Sequence, residues 1–119
     1  MSIKDITVII ATFKSDSKVI NCLNSINKEC NIIIVENSNN LDFKKNIESK
    51  YTNVECILIG SNIGYGSANN IALKQIKTKY ALILNPDVLL SKFSLENLLK
   101  ASKKVNNFSI LAPEEQNNK

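Results

Sequence analysis

The sequence has 119 residues, enough for one domain, and its 44% hydrophobic and 22% charged residues are ordinary for a folded globular protein. The net charge of +4 comes from lysines spread along the chain, without arginine forks or a basic stripe, which argues against nucleic-acid binding. Histidine is absent, which excludes a Ser-His-Asp triad, a histidine general base and a histidine-ligated metal within these residues.

The cysteines and the apolar runs indicate a cellular compartment. Cys22, Cys30 and Cys56 are odd in number and form no CxxC pair, so we expect buried free thiols and a reducing environment. No apolar run approaches the ~20 residues needed to cross a bilayer, and the amino terminus enters a strand pattern directly rather than a signal peptide. We therefore expect a cytoplasmic protein, with peripheral attachment at the inner face of the membrane left open.

Strand and helix patterns alternate along the chain. In order, we predict a strand over Ile6–Thr12, a helix over Ser17–Lys28, a strand over Asn31–Val35, a helix over Leu41–Tyr51, a strand over Val54–Ile59, a helix over Ser67–Lys77, a strand over Tyr80–Leu84, a helix capped by Ser94 and running to Ser102, and the candidate start of a fifth strand at Ser109–Ala112. Strands that alternate with helices through short loops form right-handed βαβ units. The prediction is a single domain over residues 1–119, of the doubly wound α/β class with a mostly parallel sheet.

Polar clusters follow each of the four predicted strands. They are Ala11-Thr12-Phe13, Glu36-Asn37-Ser38, Asn62–Gly66 and Asn85-Pro86-Asp87. Ligands of open α/β sheets bind beyond the carboxyl ends of the strands, so these clusters are expected to surround one nucleotide site. Each cluster taken alone is weak evidence, because an ordinary turn or strand-to-loop transition explains it at least as well.

The glycine-bearing loop Gly60–Gly66 leads into the third predicted helix. Glycines before a helix let backbone N–H groups approach a diphosphate, and the helix N-terminus favours negative charge. The spacing is GxxxGxG after the third strand, not GxGxxG after the first, which disfavours a NAD-type site.

The tripeptide Asn85-Pro86-Asp87 ends the fourth predicted strand. Proline terminates the ladder, and the two flanking oxygen-bearing side chains suit Mg²⁺ or Mn²⁺, which prefer carboxylate, carbonyl and water ligands. Phe13 could stack on a nucleobase, while Glu36 and Asn37 offer groups able to read a base edge.

These motifs, in this order, resemble those of family 2 glycosyltransferases of GT-A fold. The segments are Ile6–Phe13, Ile32–Asn37, Gly60–Asn70 and Leu82–Val88, and they are most similar to the rhamnosyltransferase-like branch. The resemblance implies a domain that binds a nucleotide-diphosphate sugar, for inverting transfer to a saccharide or lipid-linked acceptor.

By this resemblance the donor nucleotide contacts Ala11, Thr12, Phe13, Glu36, Asn37, Asn62, Gly64 and Asn85. Asp87 is the carboxylate of the family's DxD-type metal motif, whose first aspartate is replaced here by Asn85. An amide is an uncharged ligand, which predicts weak binding of Mg²⁺ or Mn²⁺. Lys14 stands where asparagine is common, and Glu36 where aspartate is common.

Enzymes of the family continue into an acceptor-binding half that usually supplies the catalytic base. No residue before Lys119 matches that base, so we predict a donor-binding part without a catalytic residue of its own. Two alternatives stay open, which are a non-catalytic nucleotide-binding module on the same fold and an unrelated doubly wound domain of the flavin or response-regulator type. The sugar, the base, the acceptor and the oligomeric state are not specified by the sequence.

Overall fold

A computed structural model describes residues 3–91 and 93–104 of the chain, with side chains described as far as residue 101. After a 3-10 turn at Ile3–Asp5, the elements are β1 (Ile6–Thr12), α1 (Asp16–Asn24), β2 (Asn31–Glu36), α2 (Leu41–Lys50), β3 (Val54–Leu58), α3 (Tyr65–Leu73), β4 (Tyr80–Leu84) and α4 (Ser94–Lys104). The predicted fifth strand at 109–112 lies outside the described residues. Among the described residues, none of the helices α1 to α4 has the length and apolar character of a membrane-spanning helix.

The four strands form one parallel sheet in the order β3-β2-β1-β4. All seven residues of β1 are buried, as an unbroken β-branched run predicts for a strand covered on both faces. The doubly wound α/β prediction is therefore confirmed. The chain moves outward from β1 to β3 and then crosses back to β4, so the strand order reverses between β1 and β4.

Two apolar clusters lie on the two faces of the sheet. The larger cluster combines alternate residues of β1 and β2, such as Ile10 and Ile34, with the apolar sides of α1, α2 and α4. The smaller cluster lies under α3, whose Ala68 and Ala72 are fully buried against Ile9. Because alanine side chains are short, α3 lies close to the strands.

Two side chains of α2 cover the outer edge of β3. The Lys44 Nζ donates a hydrogen bond to the Cys56 carbonyl, and the Cys56 N–H donates to the Glu48 carboxylate at 2.9 Å. Lys44 and Glu48 also form an ion pair at 3.0 Å. Since an edge strand otherwise presents unpaired backbone groups, these contacts satisfy β3 at Cys56.

The helix bounds differ most from the prediction in α1 and α3. α1 ends at Asn24 rather than Lys28, because the Ser25 hydroxyl donates to the Cys22 carbonyl at 2.6 Å and tightens the last turn. Ile26 is still buried, so the apolar spacing identified core residues beyond the helix itself. α3 begins at Tyr65, two residues before the predicted start, because Gly64 serves as its N-cap.

α4 begins with Ser94 as a helical residue rather than as the residue that caps it. The Ser91 N–H donates to the Ser94 hydroxyl oxygen at 3.1 Å, and the Ser94 N–H donates back to the Ser91 carbonyl at 3.1 Å. This reciprocal pair of bonds fixes the turn that leads into the helix.

Candidate functional site

The four predicted polar clusters lie at the carboxyl ends of four parallel strands and therefore at one edge of the sheet. In open α/β sheets the ligand crevice opens where the strand order reverses. Here that point lies between β1 and β4, whose carboxyl ends lead to Phe13 and to Asn85-Pro86-Asp87.

The end of β1 places an aromatic ring in solvent. Ala11 and Thr12 are buried, whereas Phe13 is 43% exposed. The next residue, Lys14, has a φ of 51°, and its ammonium lies 5.2 Å from the centroid of the Phe13 ring. The Ser15 hydroxyl donates to the Phe13 carbonyl at 3.0 Å. This tight turn presents the Phe13 ring as an open apolar surface.

Glu36 closes β2 with a buried carboxylate. Its side chain is 1% exposed, and both oxygens accept hydrogen bonds, one from the Thr12 hydroxyl at 3.3 Å and one from the Ser38 hydroxyl at 2.5 Å. A buried carboxylate is stable only when it is hydrogen-bonded, so these hydroxyls support it. The carboxylate therefore lies beneath the edge of the sheet and links the ends of β1 and β2.

Asn37 is also buried and faces the loop between β3 and α3. Its N–H donates to the Thr12 carbonyl at 2.8 Å, and its Oδ1 accepts from the Ile63 N–H at 3.3 Å. The side chain is 4% exposed. Asn37 thus contacts both the central strand and the glycine-bearing loop.

The glycine-bearing loop requires two left-handed residues. Gly60 has a φ of 88° and Gly64 a φ of 89°, a conformation that glycine adopts without strain. The Gly64 N–H donates to the Asn62 Oδ1 at 3.1 Å. No side chain caps α3, and its first turn has no acidic residue. Its first N–H groups and the positive end of the helix dipole are therefore suited to an anion.

Asn85-Pro86-Asp87 forms a turn, with the Val88 N–H donating to the Asn85 carbonyl at 3.1 Å. Both Asn85 and Asp87 are exposed. The fully buried Cys22 lies below the turn, with its Sγ 4.0 Å from the Asn85 carbonyl oxygen. Burial, and secondarily the charge of Asp87, raises the pKa of the Cys22 thiol to about 11. The thiol is therefore protonated at neutral pH, while the Asp87 carboxylate faces solvent.

The donor set at this turn determines what kind of cation it could hold. In the described part of the chain, no three His, Cys, Asp or Glu residues cluster as a metal site. The turn itself offers one carboxylate, Asp87, and one amide, Asn85. Mg²⁺ commonly binds through one or two carboxylates together with substrate phosphates and waters. The residues therefore fit a cation that arrives with a diphosphate, not one held by the protein alone.

The structure brings all nine predicted residues to the same edge of the sheet but not into the same environment. Phe13, Asn62, Gly64, Asn85 and Asp87 are exposed, whereas the remaining four are buried, namely Ala11, Thr12, Glu36 and Asn37. Our sequence reasoning missed Ser38 as a partner of Glu36. A serine two residues after a strand-ending carboxylate is the signal that could have found it.

Residues 7–116 match the sequence profile of glycosyl transferase family 2. The chain belongs to this family. The match covers nearly all of the described structure, from β1 to α4. Apart from Ile6, it includes the four segments on which the resemblance was based.

Two characterised relatives of this family 2 domain are glycan and teichoic acid enzymes. The chain is 25% identical over 113 residues to the low-salt glycan biosynthesis hexosyltransferase Agl10 of Haloferax volcanii, a match that covers 92% of this chain and 36% of that protein. It is 27% identical over 116 residues to the teichoic acid poly(glycerol phosphate) polymerase of Staphylococcus epidermidis, covering 91% of this chain and 16% of the polymerase. The chain thus spans about a third or less of these relatives.

Solved structures of S. aureus TarS have the same fold as this family 2 domain. TarS 1-349 superimposes with a TM-score of 0.69 at 23% identity, over 83% of this chain and 32% of that one. TarS 1-349 in complex with UDP gives a TM-score of 0.68 at 22% identity, again over 83% and 32%. At this identity the likeness shows the fold alone.

Proposed function

We propose that this chain is the donor-binding part of an inverting glycosyltransferase, which transfers a sugar from a nucleotide-diphosphate donor to a saccharide or lipid-linked acceptor. One observation carries the proposal. An exposed aromatic ring, an uncapped helix N-terminus behind a glycine turn and an exposed carboxylate all follow strands at the edge where the strand order reverses. Membership of family 2 and the UDP complex of the TarS relative support it.

In this proposal the nucleobase lies against Phe13. An exposed ring next to buried polar groups suits a base, because stacking on the face combines with polar contacts along the edge. Ala11 and Thr12 border the base and ribose, while Glu36 and Asn37 form the polar floor below. The TarS complex makes uridine the first base to test.

The diphosphate lies at the N-terminus of α3, beside Asn62 and Gly64. Backbone N–H groups and the helix dipole favour its negative charge there, and Gly64 leaves room, since a Cβ at this position would meet nothing within 4 Å. Asn85 and Asp87 follow the carboxyl end of β4, the strand that pairs with β1. Asp87 is the proposed ligand of a weakly held Mg²⁺ or Mn²⁺, and such a cation would stabilise the departing diphosphate.

We propose that residues outside this chain bind the acceptor and supply the general base. Inverting transfer needs a base that takes the proton from the acceptor hydroxyl. We assign no residue of this sequence to that role. The motifs Gly60–Gly66 and Leu84–Asp87 support the rhamnosyltransferase-like branch as a finer proposal.

Titration calorimetry of the 119-residue chain with UDP, and with dTDP as the second nucleotide, tests the proposal in the presence of MnCl₂, MgCl₂ or EDTA. We expect UDP to bind more tightly with the cation than with EDTA. Asp87→Asn should weaken the cation-dependent part by about tenfold or more, the effect of losing one charged contact of roughly 1.5–3 kcal/mol.

Glu29→Gln is the matched control, because Glu29 is an exposed carboxylate just before the amino end of β2, at the opposite edge of the sheet. It should bind UDP as the native chain does. Absence of UDP and dTDP binding under all three conditions would contradict the proposal. Equal weakening by both variants would contradict the role of Asp87.

A further inference from the structure

Asn37 is held in place by the central strand of the sheet. Its backbone N–H donates to the Thr12 carbonyl at 2.8 Å, which extends the pairing of β1 and β2 by one bond. The residue is 4% exposed, so its carboxamide is set in a fixed protein environment. A buried amide group is stable there because it is hydrogen-bonded.

The Asn37 carboxamide reaches across to the loop between β3 and α3, where its Oδ1 accepts the Ile63 N–H at 3.3 Å. Two further bonds connect the same segments, because the Ile59 N–H donates to the Glu36 carbonyl at 3.1 Å and the Gly60 N–H to the Ser38 carbonyl at 3.3 Å. Those two are backbone bonds at the start of the loop. The Asn37 bond is a side-chain bond and lies at the end of the loop, next to α3.

The position of this contact matters for the helix N-terminus. Ile63 directly precedes Gly64, the N-cap of α3, which has a φ of 89°. Glycine populates several backbone conformations readily, so a glycine N-cap does not fix its own geometry. The local bond from the Gly64 N–H to Asn62 Oδ1 lies within the loop and moves with it. The Asn37 bond instead ties the loop to the sheet.

We propose that Asn37 is a positioning residue that holds the β3–α3 loop, so that the N-terminus of α3 is aimed at the diphosphate of the bound nucleotide. This inference rests on the proposed function. It assigns to Asn37 an action through Ile63 and Gly64, distinct from contact with the nucleobase. Because the loop is already ordered in the free protein, nucleotide binding does not carry the conformational-entropy cost of ordering it.

The chain offers a matched control at the opposite edge of the sheet. The Asn53 Nδ2 donates to the Cys30 carbonyl at 2.8 Å, so Asn53 also joins two chain segments through a carboxamide–backbone bond. Asn53 lies at the amino end of β3, far along the strand from the candidate site. Asn37→Ala and Asn53→Ala remove the same chemical group, and each breaks one carboxamide–backbone hydrogen bond, which Asn37 accepts and Asn53 donates.

The experiment measures the dissociation constant of UDP in MnCl₂ by calorimetry, the melting temperature, and hydrogen exchange of the Ile63 amide by NMR. Both variants should lower the melting temperature. We expect Asn37→Ala alone to weaken UDP binding, by about fivefold to tenfold, the range for loss of one hydrogen bond. It should also speed exchange at Ile63, whereas Asn53→Ala leaves UDP affinity and Ile63 exchange at native values.

Asn37→Asp tests whether the acceptor oxygen is the important group. A carboxylate keeps an oxygen at the same place and should restore slow exchange at Ile63. Its added charge opposes the diphosphate, so amide exchange is the readout for this variant rather than affinity. Fast exchange in Asn37→Asp would contradict the proposed bond.

The inference and the proposed function fail in different ways. If the native chain binds UDP and Asn37→Ala binds it equally well, the positioning role is overturned while the donor site stands. The same holds if Ile63 exchanges at the native rate in Asn37→Ala. If the native chain binds neither UDP nor dTDP with Mn²⁺ or Mg²⁺, the proposed function is overturned, and this inference with it.

Discussion

Polar hydrogen bonds join the strands to adjoining segments at both ends of the parallel sheet, but the two ends differ in backbone geometry. At the amino end, the Thr7 and Thr78 hydroxyls bond at 2.7 Å and the Cys30 thiol donates to the Ile6 carbonyl at 3.4 Å. A shallow cleft of about 310 Å³ opens there, lined by residues such as Gln75 and Asn53. These contacts join neighbouring strands to the segments that lead into them.

At the carboxyl end, the polar contacts instead lie beside turns that contain left-handed residues. Among residues 3–91 and 93–104, the left-handed positions are Lys14, Gly60 and Gly64, and all three follow strand ends at this edge. A buried carboxylate, Glu36, lies below them with its two hydroxyl partners. Of the three, only Lys14 is strained, because it is not a glycine, and strained backbone tends to occur at functional sites.

The difference teaches that hydrogen bonds between neighbouring segments, which occur at both ends, do not by themselves indicate a ligand site. Both ends carry an asparagine whose carboxamide bonds to the backbone, Asn37 at one and Asn53 at the other. At the carboxyl end the Asn37 bond holds the loop between β3 and α3, and Phe13 and Asp87 in the neighbouring loops are exposed. The combination of exposed groups with buried polar ones at that end is the basis on which we propose a nucleotide site there.

The largest expected effect is on the pH dependence of the free energy of unfolding, and it tests whether the buried thiols at the two ends are equally shielded from water. Burial raises the pKa of Cys22, near the carboxyl end, and of Cys30, near the amino end, from 9.0 to about 11, and that of Cys56 to about 12. Since the unfolded chain loses these protons first, stability is full below pH 9 and falls as pH rises through the folded pKa values. Each thiol should contribute roughly 2–3 kcal/mol to this loss.

Urea unfolding at pH 8 to 11 measures that loss. Other groups titrate in the same range, so the single variants Cys22→Ala and Cys30→Ala provide the comparison. Each should make the free energy of unfolding less dependent on pH than in the native chain. If only one of the two variants does so, the thiols at the two ends differ in their access to water, and the two ends are not equally buried.

A smaller effect on the free energy of unfolding should distinguish the two ends, because only the carboxyl end has a charged hydrogen-bond acceptor in its buried contact. Ser38→Ala removes one hydroxyl from the buried Glu36 carboxylate and should cost about 1–3 kcal/mol, because a buried charged acceptor loses its donor. Thr7→Val at the amino end removes a bond between two neutral hydroxyls and should cost about 0.5–1.5 kcal/mol. Urea denaturation of both variants at pH 7 measures the two values. A larger cost for Thr7→Val would reverse the comparison.

The smallest effect concerns the left-handed turn after β1. Lys14 has a φ of 51°, which asparagine adopts more easily than lysine. Lys14→Asn should therefore stabilise the chain by about 0.5–1 kcal/mol. Lys28→Asn, at an exposed turn whose residues have no such φ, is the control and should change little. Thermal unfolding compares the two, and a destabilised Lys14→Asn would show that this turn is not strained.

The strands were the most predictable part of the fold. β1 and β4 have the bounds that their apolar runs predict. For β1 the continuous run is a local signal of a strand buried on both faces, whereas β4 is only partly buried, with Ile83 exposed. The ends of α1 and α3 were less predictable. They depend on the Ser25 hydroxyl and on Gly64 as an N-cap, two contacts that apolar spacing does not register.

The candidate site was predictable as a set of residues but not as an arrangement. Phe13, Asn85 and Asp87 follow strand ends, and in a parallel sheet those ends share one edge, so sequence order sufficed to group them. The order β3-β2-β1-β4, which makes β1 and β4 neighbours, comes from the folded sheet. Their binding roles remain predictions.

What the sequence determined by itself was the α/β class, the parallel sheet and the family, since each depends on patterns that are local or ordered along the chain. What only the tertiary structure decided was the environment of the buried polar groups. Glu36 meets Thr12 from 24 residues away, and Asn37 meets Ile63 from 26 residues away. No local pattern encodes such pairs, because they exist only after the strands have been brought side by side.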